Sequence, residues 1–320
     1  MSLALLFSPQ GSQGVGMGRS LAEHSAAARS IFDRADSALG WSVSGLCWDG
    51  PPERLNDTRQ TQASLLTTSV AAMEALREAL AARGTALRPL RVAGHSVGEY
   101  AALVAAGVLA FEDALRLVAR RGELMAAAAV DGGMSAVIGL ERMAIASAIS
   151  AVDGVVIAND NAPGQVVISG TREGLARAGA ALEGAGARRL IPLNVSGPFH
   201  SPLMADVGRE LASAFAGVGW RDAEPPVVSN VTAAPVTAAD EIRDLLARQV
   251  SSPVEWVRSV RVMAADGVRT FVECGPGAAL SGMVRRILPD ATTFSLAEAE
   301  QVERAAGALV GTGAVAEASV

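Results

Sequence analysis

Short apolar runs recur along the chain, and each one is followed by a glycine-rich or polar stretch. Runs of this kind are typical of strands that are buried on both faces of a parallel sheet. The runs cover residues 3–7, 90–93, 227–231 and 270–274. We therefore predict a parallel sheet whose strands are joined by helices.

Between these runs, apolar residues recur at intervals of three or four, which is the spacing of one face of a helix. The clearest case covers residues 63–83, and Gly84 is typical of the position that follows a helix. Further helices are predicted from the acidic pair Glu112–Asp113 and over residues 279–288. From Glu298 the chain is rich in alanine, and we expect a tail whose end is frayed. Strands that alternate with helices indicate an α/β fold.

The middle of the chain has a more compact alternation. Its strands and helices are predicted in the order β-α-β-β-α-β, which is the order of the ferredoxin-like fold. A turn over residues 159–164, which contains Asn, Pro and Gly, is expected to join the two middle strands. The predicted strands are 134–139, 155–159, 165–169 and 188–194, and the predicted helices are 141–151 and 173–184. We expect a ferredoxin-like insert over residues 131–197 and a large domain over residues 1–130 and 198–320.

The composition suits a large globular protein, because 50% of the 320 residues are hydrophobic. The longest nearly continuous apolar run, residues 101–111, is too short to span a bilayer. The N-terminal residues have neither a basic region nor a cleavage site, so we expect a cytoplasmic protein without a membrane contact. Cys47 and Cys274 lie far apart and fit no metal or disulfide spacing, so both are expected to be buried.

The charged residues exclude two kinds of chemistry. All 27 basic residues are arginine, so neither a Schiff-base lysine nor a P-loop lysine is available. The net charge of −6 argues against nucleic acid as a partner. Covalent chemistry in this chain must therefore use Ser, Thr, Cys or a carboxylate.

The apolar run at residues 90–93 leads into Gly94-His95-Ser96-Val97-Gly98, which has the spacing G-x-S-x-G. In a nucleophile elbow this spacing makes a sharp turn from strand to helix, where the two glycines avoid clashes and the serine hydroxyl is exposed. The helix that follows is expected over residues 99–108. Its N-terminus and the Val97 amide can face a developing oxyanion. Ser96 is therefore a candidate nucleophile, although glycine is common enough here for the pattern to arise by chance.

A serine nucleophile needs a base, and histidine is the usual one near neutral pH. The chain has three histidines. His24 lies in a polar stretch and reads as a surface residue, while the side chain of His95, next to Ser96, should point away from it and support the elbow. His200 lies in a proline-containing loop between the insert and the large domain, and is the best candidate. No carboxylate stands in a suitable order for a triad, so a Ser–His dyad is favoured.

The polar loop Gln10–Gly14 follows the first predicted strand, and it reads equally as a ligand contact or as a plain connector. Taken with the elbow and the His200 loop, it resembles the malonyl-CoA:acyl carrier protein transacylase family, which includes free-standing acyltransferases of polyketide synthases. The resemblance extends over nearly the whole chain. It rests on Gln10-Gly11-Ser12-Gln13, Gly94 to Tyr100, Arg121-Gly122 with Met125, Asn161 to Gly170, Pro198-Phe199-His200-Ser201, Gln249 with Ser252-Pro253-Val254, and Glu273 to Gly277.

The resemblance implies a set of catalytic residues. Ser96 would form the acyl-enzyme, and His200 would act as general base and acid. The backbone amides of Gln10 and Val97 would form the oxyanion hole. The backbone carbonyl of Gln249 would orient His200, which accounts for the absence of a triad acid. The fold it implies is an α/β-hydrolase-like large domain with the ferredoxin-like insert.

The resemblance also implies a substrate pocket. Arg121 would pair bidentately with the free carboxylate of a malonyl group, and Asn161 would contact the substrate. Phe199 would limit the acyl group to malonyl, since a smaller residue at this position accompanies methylmalonyl units. One departure is plain: Ser8–Pro9 stands where the family has Pro–Gly, so we expect the loop that carries Gln10 to be shifted.

The activity implied is ping-pong transfer of a malonyl group from CoA to the phosphopantetheine thiol of an acyl carrier protein, in fatty acid or polyketide biosynthesis, by a monomer without a metal or redox cofactor. Three alternatives stay open: a serine esterase or thioesterase, transfer of a substituted malonyl unit, and a catalytically silent module that docks carrier proteins. Carrier proteins are acidic, so a docking surface on this chain should be basic. Two arginine pairs are candidates for it, Arg188–Arg189 and Arg285–Arg286, and they read equally as solvated surface residues.

Overall fold

The computed structural model describes residues 2–128 and 130–310, together with the backbone of residues 316–317. The strands are β1 Ser2–Phe7, β2 Thr85–Ala86, β3 Arg91–Gly94, β4 Gly132–Ile138, β5 Val155–Ala162, β6 Gln165–Thr171, β7 Arg189–Pro192, β8 Val227–Val228, β9 Pro235–Val236, β10 Val268–Cys274, β11 Thr292–Leu296 and β12 Ala316–Glu317. The α-helices are α1 Arg19–His24, α2 Ala26–Leu39, α3 Val43–Asp49, α4 Pro52–Leu55, α5 Thr58–Ala81, α6 Gly98–Ala105, α7 Phe111–Ala127, α8 Arg142–Ala148, α9 Arg172–Gly184, α10 Ala205–Ala214, α11 Ala239–Gln249, α12 Trp256–Ala265, α13 Ala279–Ile287 and α14 Ala299–Val310.

The large domain is built on a six-stranded sheet in the order β11-β10-β1-β3-β8-β9. Its strands are parallel except for β9, which pairs antiparallel with β8 at one edge. Phe7 of β1 lies opposite both Gly94 of β3 and Cys274 of β10. The carboxyl ends of three strands therefore meet at one point of the sheet edge, where α/β folds commonly place their ligand sites.

Both faces of this sheet are covered, which explains the unbroken apolar run in β1. Leu3, Leu5 and Phe7 belong to the core that packs against α2, α5 and α7. Ala4 and Leu6 point to the opposite face, into the core formed with α12 and α13. Because successive side chains of a strand alternate between faces, a strand between two layers of helices must be apolar at every position.

The insert forms a separate four-stranded antiparallel sheet in the order β5-β6-β4-β7. Helices α8 and α9 contribute Ile145, Ala178 and Leu182 to its apolar core. The element order is β-α-β-β-α-β, and the first strand, β4, lies between the third, β6, and the fourth, β7, as in the ferredoxin-like fold.

Three contacts fix the insert on the large domain. The Asp160 amide donates to the carbonyl of Val254, and the Val254 amide donates to Ala158, so β5 pairs with the segment that leads into α12. The Arg142 guanidinium at the start of α8 donates to both oxygens of Glu255, at 2.6 and 2.8 Å. Arg286 of α13 donates to Gln165 at 2.7 Å. These contacts join the insert to the large domain along β5, α8 and the β5–β6 end of the insert sheet.

Several element boundaries differ from those expected. Residues 159–162 continue β5, and only residues 163–164 form the turn, because the backbone of 160 pairs with the large domain. β8 ends at residue 228 rather than 231. Helix α5 begins at Thr58, where Asp57 caps the helix by accepting from the Arg59 amide.

The chain after Glu298 is also more ordered than predicted. Residues 299–310 form α14, whose Val302, Ala306 and Leu309 are buried, and β11 before it was not predicted. The expected fraying concerns the end of the chain, most of which lies outside the described residues. Within the described ranges, none of the helices combines the length and the apolar character needed to cross a lipid bilayer.

Candidate active site

The turn between β3 and α6 has the geometry of a nucleophile elbow. Ser96 lies at φ 53°, in the left-handed region that residues other than glycine rarely adopt. A Cβ atom on Gly94 would lie 2.0 Å from the backbone of Gly98, and one on Gly98 would lie 2.2 Å from the carbonyl oxygen of Phe7. Both positions therefore require glycine, which explains the G-x-S-x-G spacing.

The backbone of Ser96 is clamped on both sides. Its amide donates to Oδ1 of Asn230 at 2.7 Å, and Nδ2 of Asn230 donates to the carbonyl of Gly94 at 2.6 Å. The Ser96 carbonyl accepts from Nε2 of Gln249 at 2.9 Å. These bonds offset the cost of the strained φ angle, which is about 1–3 kcal/mol for a residue of this kind.

His200 lies against the nucleophile. Its Nε2 is 2.8 Å from Ser96 Oγ, and its Nδ1 is 3.1 Å from the carbonyl oxygens of Gln249 and of Ser252. Since both partners of Nδ1 are acceptors, Nδ1 carries the proton and Nε2 is free to accept the serine hydroxyl. Two carbonyl oxygens thus take the orienting position that a carboxylate has in a triad.

The environment keeps His200 in its basic form. Burial, followed by the charge of Arg121 and the influence of His95, lowers the pKa of His200 to about 3. The imidazole is therefore neutral at physiological pH and able to accept a proton.

Arg121 of α7 lies beside the nucleophile and is 1% exposed. One terminal nitrogen donates to Ser96 Oγ at 3.1 Å and to Oε1 of Gln249 at 3.1 Å, while the other donates to Oε1 of Gln62 at 2.6 Å. Its Nε–H is buried and has no hydrogen-bond partner among the residues that the structure describes. Burial lowers the pKa of Arg121 from its ordinary value. A buried guanidinium with an unused donor is a site that a bound anion would complete.

His95 and Asn161 contact each other across the domain boundary. His95 Nε2 lies 2.8 Å from Oδ1 of Asn161, and the His95 ring packs against Trp256 with 5.4 Å between ring centroids. Burial lowers the pKa of His95 to about 4. The structure thus places His95 as a partner of the insert. Asn161 lies at the buried end of β5, so its contact with the substrate stays a prediction.

The remaining predicted residues surround this centre. Val97 is buried at the start of α6, where no side chain caps the helix. Phe199 is 4% exposed. Gln10 follows β1, and its side chain donates to Thr58 at 3.4 Å. Before it, the buried Ser8 hydroxyl lies 3.4–3.5 Å from three acceptors of the segment 273–276, which ties the loop to the next strand.

The candidate residues and their buried neighbours come from distant parts of the chain. Sequence reasoning missed the side chains of Gln62, Asn230 and Glu99, each of which bonds to the groups around Ser96 or Arg121. Only Asn230 carried a usable signal, because it follows a predicted strand at the carboxyl edge of the sheet. Across the described ranges, His, Cys, Asp and Glu side chains form no cluster of three that could hold a metal ion.

The chain matches known proteins along nearly its full length. A family described as "Acyl transferase domain" matches residues 4–311. The malonyl CoA-acyl carrier protein transacylase of Bacillus subtilis is 42% identical over 309 residues, which cover 95% of this chain and 96% of that protein.

Two solved structures show the same fold. The acyl carrier protein S-malonyltransferase of Vibrio cholerae is 40% identical with a TM-score of 0.90, covering 95% of this chain and 100% of that one. A malonyl-transacylase solved in complex with its type II PKS acyl-carrier protein is 38% identical with a TM-score of 0.91, covering 96% of this chain and 100% of that one. These likenesses confirm the predicted fold class and the resemblance, and the chain belongs to the acyl transferase domain family.

Proposed function

We propose that this protein is a malonyl-CoA:acyl carrier protein S-malonyltransferase that serves fatty acid or polyketide biosynthesis. The observation that carries the proposal is the buried Arg121 guanidinium, 3.1 Å from the Ser96 hydroxyl and with its Nε–H unpartnered. A malonyl thioester is an acyl donor that also presents a carboxylate. The names of the relatives that match nearly the whole chain support this choice.

In the first half-reaction, Ser96 Oγ attacks the thioester carbonyl while its proton passes to Nε2 of His200. The amides of Val97 and Gln10 stabilise the oxyanion of the tetrahedral intermediate. The intermediate collapses, the C–S bond breaks, and the CoA thiolate takes the proton from His200. The malonyl group is left as an ester on Ser96, with its carboxylate on Arg121.

In the second half-reaction, the phosphopantetheine thiol of the carrier protein transfers its proton to His200 and attacks the ester. The same amides stabilise the second oxyanion, and Ser96 leaves with the proton that His200 returns. Each step forms one bond, breaks one bond and restores the dyad, so no further cofactor takes part.

Mass spectrometry after mixing with malonyl-CoA tests this proposal. A malonyl adduct on Ser96 that carrier protein discharges faster than water does would support transfer. An adduct that water discharges at the same rate would show a serine esterase or thioesterase. Carrier protein that binds without any adduct would show a docking module.

The role of Arg121 can be tested against that of its neighbour. Arg121→Ala should lose malonyl transfer and shift the preference toward acetyl-CoA, because an uncharged acyl group does not need the guanidinium. Arg120→Ala is the matched control, since Arg120 lies on the same helix but is exposed and pairs with Glu123 and Glu210. An equal loss for acetyl and malonyl donors would point to a structural role for Arg121.

Phe199 supports an unsubstituted malonyl group as the acyl unit. It is buried directly before His200, and we expect its ring to limit the space at the acyl carbon. One methyl group in a closed pocket changes discrimination by about 10- to 200-fold. Phe199→Ser should therefore narrow the malonyl-to-methylmalonyl ratio of kcat/KM by admitting the larger unit. If the wild-type protein preferred methylmalonyl-CoA, the proposed malonyl substrate would be wrong, whereas the proposed transferase activity would stand.

For the carrier protein, Arg188 and Arg189 on the exposed edge of the insert are the better docking candidates. Arg286 is exposed but donates to Gln165, and Arg285 donates to Thr293. Charge reversal at Arg189 should raise the KM for carrier protein in a salt-dependent manner and leave malonyl loading unchanged. Unchanged carrier kinetics would exclude this surface.

A further inference from the structure

Glu99 is a buried carboxylate behind the nucleophile to which the mechanism above gives no role. It lies in the first turn of α6 and is 4% exposed. Its Oε2 accepts from the side-chain Nε2 of Gln249 at 2.6 Å, and its Oε1 accepts from the backbone amide of Asn230 at 3.4 Å. The same two residues clamp the backbone of Ser96. Glu99 is therefore joined to the reacting centre by short polar contacts.

The Gln249 amide joins Glu99 to Arg121. Its Nε2 donates to Glu99 while its Oε1 accepts from the Arg121 guanidinium at 3.1 Å. Within residues 2–128 and 130–310, no carboxylate lies at ion-pair distance from Arg121. Tyr100 and Glu99 both act in the direction that raises the pKa of Arg121, and of these two Glu99 is the carboxylic acid. It balances that charge through one intervening amide.

Apart from Arg121, the titratable groups around Glu99 carry no charge near neutral pH. Tyr100 is its neighbour on α6, and burial raises the pKa of Tyr100 to about 12, so the phenol is neutral. His95 and His200, from the elbow and the loop before α10, are neutral as well. Helix α5 contributes the uncharged Gln62. The buried centre thus holds one cation and one carboxylate.

A malonyl carboxylate on Arg121 would place a second anion beside this single cation in a site of low dielectric. We propose that loading of the acyl carboxylate is balanced by a proton taken up on Glu99, so that Arg121 keeps one counter-ion before and after loading. This inference rests on the proposed function. It makes Glu99 a positioning residue that acts through Gln249 and distinguishes charged from uncharged acyl groups.

Glu99 is suited to this exchange near neutral pH. Burial raises its pKa to about 7, against the opposing effects of the bonds from Gln249 and Asn230 and of the Arg121 charge. A second anion nearby raises it further.

The first test uses the wild-type protein and a pH indicator in weak buffer at about pH 8. Malonyl-CoA and acetyl-CoA release the same thiol, so any difference in protons per mole of Ser96 adduct reports the acyl carboxylate. We expect uptake approaching one proton per malonyl adduct and none per acetyl adduct. Equal uptake from the two donors would overturn the inference. Absence of a malonyl adduct would instead overturn the proposed function.

The second test is the pH dependence of the loading equilibrium. The ratio of malonyl adduct to free enzyme, at fixed malonyl-CoA and CoA, should fall by up to about tenfold per pH unit above the pKa of Glu99, while the acetyl ratio stays flat. Glu99→Gln should remove both the uptake and this slope. Glu255→Gln is the matched control, because Glu255 is a buried carboxylate bonded to Arg142 rather than to Gln249, and it should keep both. Uptake that persists in a folded Glu99→Gln enzyme would contradict the role of Glu99.

Discussion

Two glycine-rich turns leave the same edge of the central sheet, and one of them contains Ser96, the proposed nucleophile. The first joins β3 to α6 and contains Ser96, and the second, residues 275–278, joins β10 to α13. At the second turn, the side chain of Glu273, from the end of β10, reaches the first turn of α13, where its two oxygens accept from the amides of Leu280 at 3.0 Å and Ser281 at 2.7 Å.

We infer that a strand-to-helix turn can become a reactive site only where the amides at its helix N-terminus are not already bonded to a carboxylate. We call such a turn open, and a turn whose helix amides are occupied closed. The amides at a helix N-terminus attract an anion. In α13 that anion is Glu273, which is fully buried, so the turn is closed by its own side chain. In α6 the amides of residues 98–100 bond to the backbone carbonyls of residues 95–97, whereas no hydrogen bond within the described ranges engages the Val97 amide, which remains available to an oxyanion. Two turns that look alike in sequence thus differ in whether a preceding carboxylate occupies the amides at the helix N-terminus.

The largest effect is expected on the rate of acylation of Ser96 when its proposed general base, His200, is removed. His200→Ala should slow formation of the Ser96 adduct by about 10²-fold or more, because Ser96 then has no group to accept its proton. Rapid-quench mass spectrometry with malonyl-CoA measures the rate, and Ser96→Ala, which cannot form the adduct, sets the background. Acylation of His200→Ala at the wild-type rate would exclude the dyad.

The next effect concerns the geometry of the open turn. Gly98→Ala would force a Cβ atom to within 2.2 Å of the carbonyl oxygen of Phe7, which is fully buried at the end of β1. We expect a loss of about 3 kcal/mol or more in the free energy of unfolding, measured in urea. Gly282→Ala in α13 is the control, since its Cβ atom would meet nothing within 4 Å. It should stabilise the protein by about 0.5–1 kcal/mol. Similar effects of the two substitutions would contradict this account.

The sequence predicted the parts of this comparison that depend on local spacing. The two glycines of the elbow, the apolar strand before it and the β-α-β-β-α-β order follow from backbone sterics and from short-range periodicity. His200 was reached by elimination among three histidines, and Arg121 through the resemblance to a family. These inferences need no knowledge of how distant segments pack.

The groups that hold the centre together could not be predicted in the same way. Asn230 and Gln249 reach Ser96 across sequence separations of 134 and 153 residues. Glutamine and asparagine have no periodicity that marks them as buried, and their partners are set only when the sheet order is known. The same holds for residues 159–162, which look like a turn but extend β5 because residue 160 pairs with the large domain.

The two buried histidines beside Ser96, His95 and His200, should make the free energy of unfolding depend on pH. The folded pKa values of His95 and His200 are about 4 and about 3, below the ordinary value of about 6.5. As the pH falls, the two histidines are therefore protonated in the unfolded chain before they are protonated in the folded protein. Their contribution to the free energy of unfolding is fully present above about pH 6.5 and is lost as the pH falls below that value. Glu99, raised to about 7, has the opposite sign, because the folded state protonates before the unfolded one.

The two histidines lower the free energy of unfolding as the pH falls, and Glu99 raises it. The net result is a fall in the free energy of unfolding of about 1.4 kcal/mol per pH unit below pH 6.5, or about 2 kcal/mol between pH 6.5 and pH 5. Urea unfolding at these two values measures it. In His200→Ala one loss is removed, so the contributions of His95 and Glu99 should nearly cancel. An unchanged slope in this variant would show that His200 does not titrate as inferred.

The smallest effect is expected from opening the closed turn. Glu273→Ala removes the acceptor of the Leu280 and Ser281 amides and leaves both buried without their carboxylate. Loss of such a cap destabilises a protein by about 1–2 kcal/mol, and Glu273→Gln should lose less because one amide oxygen can still accept. Adduct formation per folded molecule should stay close to the wild-type rate, because Ser96, His200 and Arg121 keep their contacts. If Glu273→Ala instead slowed acylation as strongly as His200→Ala, the second turn would be part of the catalytic centre, through the contact between Glu273 and Ser8 at the start of the Gln10 loop.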